Sequence, residues 1–412
     1  MQGLSTQIEP IPGRWWRLAG VWALYMAFGL NMAGLAPLVP DIEADLGFSH
    51  ASMGTVLGAW QFIYIFAAIP CGLVLDRMGT RRALFWGALL IGASGIARGF
   101  AQEYLHLLAA VALFGLGGPL ISAGAPKVVS ENFAGAERGL AMGIYITGPG
   151  VGAMVSLLFS QPVLMPLLGG RWGLVLILWG FAALAAGLFW LLVGRGVTRS
   201  AGRITPNAPL WNEIGAVLSL APVRLILLMS IGVFSINHAM SNWLVEMLHN
   251  FGAGLKQASL MAVVPAVVGI VSALTLPRLA TGSRRFGVLI TLFSCSLFGS
   301  LLFLIGGMGS WLYLALILMG IAGGSMMTVL ILTLVEVPGV GERRAGTAGG
   351  FFFSAAEIGG VGGPVAIGVL YGGSGGFSSA LALLALVALL LIGAVVPLRR
   401  LLAGSGKAQE SV

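Results

Sequence analysis

The chain has 412 residues, of which 58% are hydrophobic and only 9% charged, against about 25% charged in a soluble globular domain. That excludes a water-soluble enzyme domain, and the 63 glycines, lying inside apolar runs rather than in polar tracts, exclude a disordered chain. The net charge of +8 comes from short basic clusters between apolar stretches and not from one basic domain, which argues for a lipid bilayer as partner and against nucleic acid.

The first apolar segment begins near residue 18, after Trp15 and Trp16. It outruns a signal-peptide core and lacks a small-residue cleavage pattern, so it is read as a retained helix. A spanning helix needs about 20 mostly apolar residues, and such segments follow near 51, 83, 105, 139 and 172. The stretch from Arg195 to Pro222, with Arg199, Arg203, Pro206, Pro209 and Glu213, is too polar to span. Six more segments begin near 223, 257, 286, 311, 346 and 376. The sequence therefore predicts an all-α membrane protein with twelve transmembrane helices in two pseudo-symmetric six-helix bundles. The first bundle covers 1–194, a cytoplasmic linker 195–222 and the second bundle 223–412. Trp15, Trp16 and Trp172 sit at helix ends and are expected to anchor at the interface. Cys71 and Cys295 have neither metal-ligand spacing nor a disulfide pattern.

Basic loops are retained on the cytoplasmic side. With the N-terminus inside, all of the 22 basic residues except Arg98, Arg171 and Lys256 fall on that side, and the acidic run Asp41, Glu43, Asp45 falls on the other. Both termini are expected in the cytoplasm, in a bacterial inner membrane. A shift of 206, half the chain, places Asn31 on Asn237, Leu38 and Val39 on Leu244 and Val245, Gly117 and Gly118 on Gly323 and Gly324, and Arg138 on Arg344. Two related halves let a chain rock about a central site open alternately to either side, the architecture of secondary transport.

After the second segment the chain reads Gly72-Leu-Val-Leu-Asp76-Arg77-Met-Gly79-Thr-Arg81-Arg82. Gly72 is expected to permit close helix approach, Gly79 a tight turn, and Asp76 to accept hydrogen bonds from arginines or a helix N-terminus. An ordinary basic loop needs neither the acid nor the glycine spacing. This string resembles the signature loop of the major facilitator superfamily, and with twelve helices in two halves the resemblance covers nearly the whole chain. It implies that Gly72, Asp76, Arg77, Gly79, Arg81 and Arg82 form a gating latch on the cytoplasmic side. The second half keeps only Pro277-Arg278 and Arg284-Arg285, without an acid. Near Val111 to Gly118 the arginine of many proton-coupled members is missing, and Gly148-Pro149-Gly-Val-Gly152 nearly matches the antiporter signature, its preceding glycine standing at 143. The stretch Ala125 to Gly152 is similar to the cyanate permease and nitroimidazole transporter group.

Charged groups at mid-membrane cost about 2.5–3.5 kcal/mol and tend to have a purpose. Glu357 lies within an apolar segment and is a candidate proton carrier, or else a neutral carboxyl bonded to a neighbouring helix. Asn237, His238, Asn242 and Trp243 combine amides, an imidazole and an aromatic surface, though spacings of one, four and five residues do not put all four on one face. Asn31 joins them by symmetry. Lys127 is read either as a lysine snorkelling to the headgroups or as counter-charge for an anionic solute. Gln61, Tyr64 and Tyr145 are further cavity candidates. No P-loop, zinc-spaced histidines or nucleophile elbow is present, so neither an enzyme nor a cofactor is expected.

The expected function is a secondary active transporter, a proton-coupled symporter or permease that takes up a small polar or anionic solute as a monomer. One alternative is a proton-driven exporter of hydrophobic drugs or metabolites, and the other a non-transporting receptor or scaffold.

Overall fold

In a computed structural model, which describes residues 12–133, 135–195, 215–372 and 376–410, the described residues fold into helices joined by short turns and loops. The side chain of Asp76 and the linker residues Arg199, Arg203, Pro206, Pro209 and Glu213 lie outside that description.

The first six spans are α1 (Arg14–Met32), α2 (His50–Met78), α3 (Thr80–Gly99), α4 (Tyr104–Asn132), α5 and α6 (Trp172–Val193). α5 runs as Gly135–Ile146, breaks at Thr147 and continues as Gly148–Phe159 into a short π-helical turn, Ser160–Leu164. The second six are α7 (Ala221–Asn250), α8 (Leu255–Leu279, interrupted at Ala262), α9 (Arg284–Ile305), α10 (Ser310–Val335), α11 (Gly341–Tyr371) and α12 (Phe377–Glu410). Among the described residues, eleven helices are long and apolar enough to cross a membrane. The twelfth, α3, carries Arg81, Arg82 and Arg98, and it packs between α4 and α6. Arg81 donates to the Leu191 carbonyl at 2.8 Å, and Trp190 Nε1 donates to the Arg81 carbonyl at 2.9 Å, so the polar start of α3 is tied to the end of α6. With an even number of spans, the start of α1 at Arg14 and the end of α12 lie on one face, here called the terminal face, opposite the acidic face of Asp41, Glu43 and Asp45.

Close packing of α1 on α5 depends on glycine. A Cβ on Gly29 would run into the Pro149 carbonyl, and one on Gly152 into the Met26 carbonyl. The second half repeats the device, since a Cβ on Gly359 or Gly363 of α11 would meet the carbonyls of Ile231 or Ser235 on α7. Small residues that let helix backbones touch are the usual source of packing energy where lipid replaces water.

Two local expectations are corrected. Nothing lies within 4 Å of the position a Gly72 Cβ would take, so this glycine mediates no close helix approach. Trp172 is buried at 6% exposure, its indole donating to Asp45 Oδ2 at 2.9 Å, because α6 begins beneath the acidic helix Val39–Leu46. Trp15 and Trp16, by contrast, are exposed. Arg98, placed on the outer side by the sequence, stands in the last turn of α3 and is 1% exposed, reaching the Asn31 carbonyl at 2.8 Å and lying over the Phe114 ring at 5.3 Å. Gly79 takes φ 81 and ψ 157, a conformation open essentially to glycine alone, and so turns α2 directly into α3.

Candidate functional site

The site begins with α7, which carries the polar residues Asn237, His238, Ser241 and Asn242 near mid-length. Residues four apart share a helix face. Asn237 thus stands in line with Ser241, and His238 with Asn242. The rows are closed internally, Ser241 Oγ donating to the Asn237 carbonyl at 2.7 Å and Asn242 Nδ2 to the His238 carbonyl at 2.8 Å.

All four residues line a cavity of about 430 Å³ between α7, α8 and α10 of the second half and α1 and α5 of the first. That is within the ~300–1,000 Å³ of typical small-molecule sites. The other lining residues are apolar or glycine, among them Met32, Ala153, Pro265, Met319 and Met326. Among the described residues, no lysine, arginine or carboxylate lines it.

His238 connects this cavity to a buried polar cluster. Its Nδ1 is 3.2 Å from Nε2 of Gln61 on α2, a bond across the two halves, and its ring meets Trp60 at 5.8 Å and Phe234 at 5.5 Å. Gln61 is fully buried and Glu357 is 5% exposed, and both keep an oxygen, Oε1 and Oε2, without a hydrogen-bond partner. A Cβ on Gly360 would meet Glu357 Oε2, Gln61 Cγ and the His238 ring together, so the three side chains converge around that glycine. An unpartnered buried carboxylate oxygen is costly, and a proton on it removes the charge.

The remaining candidates fall elsewhere. Tyr64 bonds Ser122 of α4 at 2.7 Å and lies within electrostatic reach of Glu357. Tyr145 packs edge-on against Tyr25 at 5.3 Å. Lys127 is half-buried one turn from Glu131, with which it interacts. Asn31 is buried away from the cavity lining, donating to the carbonyls of Ala27 and Trp179 at 3.0 Å each. Trp243 turns from the cavity to donate to the Pro364 carbonyl of α11 at 3.0 Å. Of the loop residues, Arg77 and Arg82 are exposed, while Arg81 is held by Leu191 as described. Ser241 was missed by sequence reasoning, although its place four residues after Asn237 carries the signal.

Bonds joining the halves gather at mid-depth and toward the acidic face. Besides Gln61 and His238 they include Ser259 Oγ to the Leu157 carbonyl at 2.6 Å, and His50 of α2, which stacks on Tyr371 of α11 at 3.8 Å.

A sequence profile of the Major Facilitator Superfamily matches residues 21–364. The chain belongs to the major facilitator superfamily. Its relatives within that superfamily are transporters. It is 25% identical over 387 residues to the uncharacterized transporter YycB of Bacillus subtilis (strain 168), covering 92% of each chain. To the probable galactarate/D-glucarate transporter GudP of Escherichia coli (strain K12) it is 24% identical over 421 residues, covering 91% of this chain and 92% of that one. Its fold matches the crystal structure of a bacterial homologue of the human lysosomal transporter Spinster with a TM-score of 0.76 at 15% identity, over 96% of this chain and 98% of that one. The helices thus form a major facilitator fold, and the protein is an integral membrane transporter.

Proposed function

We propose that this major facilitator protein is a proton-coupled uptake carrier for a small organic acid with an apolar body, set in a bacterial inner membrane with both termini cytoplasmic and its two halves, 1–194 and 223–412, rocking about the linker. The carrying observation is the cavity itself: four polar groups on one side, apolar walls elsewhere, and no fixed cation among the lining residues. An anion transferred into such a wall is stabilised only if a counter-charge enters with it, and a proton delivered through Glu357 and His238 supplies one. Transport of acid and proton together then moves little net charge through the apolar interior. The names of several relatives support an organic acid, galactarate and D-glucarate for one and 4-hydroxybenzoate for another of Pseudomonas aeruginosa, 26% identical over 301 residues.

The second reading is an exporter of hydrophobic compounds. The methionine-rich wall supports it, as does a 30% identity over 164 residues, 40% of this chain, to a puromycin resistance protein of Streptomyces alboniger.

The test is flux in liposomes under an imposed pH gradient, screening aldarates, 4-hydroxybenzoate, cyanate, nitrate and lipophilic cations, with Glu357→Gln in parallel. Gradient-driven accumulation of an acid, lost in the variant while solute exchange persists, is the expected result. Flux of lipophilic cations alone would instead establish the exporter.

A further inference from the structure

A second cluster of titratable side chains lies away from the cavity, on the acidic face, and it is assembled from three separate elements. Glu43 comes from the short helix Val39–Leu46, His50 from the first turn of α2, and Glu246 from α7 near its acidic-face end. The first two belong to one half of the chain and the third to the other. Each offers a ligand atom, and these atoms lie within 4.8 Å of one another.

His50 Nδ1 is 3.2 Å from Glu43 Oε2. The Nδ1 hydrogen donates there, and the lone pair of Nε2 is then left facing Glu246 Oε1 at 3.6 Å. Two acceptors facing each other repel unless a cation sits between them. Nothing else satisfies them. His50 Nε2, Glu43 Oε1 and Glu246 Oε2 are all buried atoms without a hydrogen-bond partner, and Glu246 as a whole is only 7% exposed.

A proton on Nε2 is the simplest cation, but 3.6 Å is too long for an N–H···O bond. It would also leave two carboxylates against one imidazolium. A dication bound by the neutral imidazole and the Glu246 carboxylate, with the Glu43 carboxylate hydrogen-bonded behind the ring, balances the charge. The 3.6 Å between His50 Nε2 and Glu246 Oε1 suits it as well, since two ligands of a tetrahedral zinc at ~2.1 Å stand about 3.4 Å apart. An imidazole nitrogen in the set selects a transition metal over calcium or magnesium, which prefer oxygen ligands throughout. The imidazole is already held in place, stacked on Tyr371 at 3.8 Å and 7° and flanked by Trp243 at 5.5 Å and 15°.

We propose that His50 and Glu246, with Glu43 holding the imidazole from behind, form a binding site for a divalent transition-metal cation of the zinc type, bridging the two halves on the acidic face. Because its ligands come from both halves, bound metal cross-links them and holds that face shut. That consequence rests on the alternating-access reading, whereas the binding itself does not.

The test is calorimetric titration of ZnCl2 into the purified, chelator-stripped full chain, with X-ray absorption at the zinc edge. Saturable binding of about one equivalent is expected, with nitrogen and oxygen ligands at about 2.0–2.1 Å and no sulfur. Excess Ca2+ or Mg2+ leaves it unchanged, and His50→Gln and Glu246→Gln each weaken it by more than about tenfold. His106→Gln, which removes the exposed His106 and Glu103 pair, leaves it intact. Absent saturable binding, sulfur ligation, loss in His106→Gln, or undiminished binding in both site variants would overturn the proposal. Should the site variants fail to fold, the wild-type absorption spectrum decides it.

Discussion

Gln61 and His238 meet across the two halves of the chain, Nε2 to Nδ1 at 3.2 Å, directly beside the unpartnered carboxylate oxygen of Glu357. This places a bond between the halves next to the candidate proton carrier. A net contribution of about 0.5–1.5 kcal/mol is typical of one such hydrogen bond. Gln61→Leu should therefore shift the balance between conformations by roughly two- to tenfold toward opening on the acidic face. Spin-label distances between the acidic-face ends of α2 and α11 would report it, and an unchanged distribution would count against the bond as a conformational tie.

The contrast between Asn237 and Asn31 separates binding from scaffolding. Asn237→Ala removes a cavity group and should raise the half-saturation concentration for the solute by roughly two- to tenfold with little change in thermal stability. Asn31→Ala strips the Trp179 and Ala27 carbonyls of a buried donor and should cost about 1–3 kcal/mol of stability with the half-saturation unchanged. Flux titrations and thermal melts on both variants check the pair. Equal effects on solute affinity would contradict the geometry.

Two glycines of α5 should respond oppositely to added bulk. Gly152→Leu drives a side chain into the Met26 backbone, which cannot yield as a flexible side chain would, and should cost about 1–3 kcal/mol or more. Gly143 has nothing within 4 Å of a Cβ, so Gly143→Ala should be neutral or stabilising by up to about 1 kcal/mol through helix propensity. Melting curves in one detergent decide the comparison.

Gly79→Ala should cost about 1–3 kcal/mol, because φ 81 with ψ 157 has no low-energy equivalent for a residue with a Cβ. If the corner between α2 and α3 serves as a latch, the transport rate should fall as well. Normal stability with normal flux would mean that the turn relaxes without consequence.

Twelve spans were legible in the sequence because lipid imposes a length and an apolarity on each, and the segments read from those constraints begin within a few residues of the helices. α3 shows the limit of that signal. Its arginines fail a composition test, yet Arg98 is buried against Phe114 and the Asn31 carbonyl. Asn237, His238 and Asn242 stood out because they lie close together in one otherwise mostly apolar stretch. Glu43, His50 and Glu246 did not, since no spacing relates three residues that only packing brings together. Gly72 and Trp172 went astray for a related reason: glycine at a helix end and tryptophan at a helix start have several uses, and the neighbours that choose among them are remote in sequence.

Among the described residues, the polar side chains of the cavity wall, Asn237, His238, Ser241 and Asn242, belong to little more than one turn of a single helix. The two sides of the chamber are therefore free to diversify separately. If the solute binds there, a descendant of this protein could exchange its cargo by altering a handful of codons in one short stretch, leaving the opposing wall as a generic greasy surface. Its mechanical parts, the glycine contacts of α1 with α5 and of α7 with α11, need not change when its diet does.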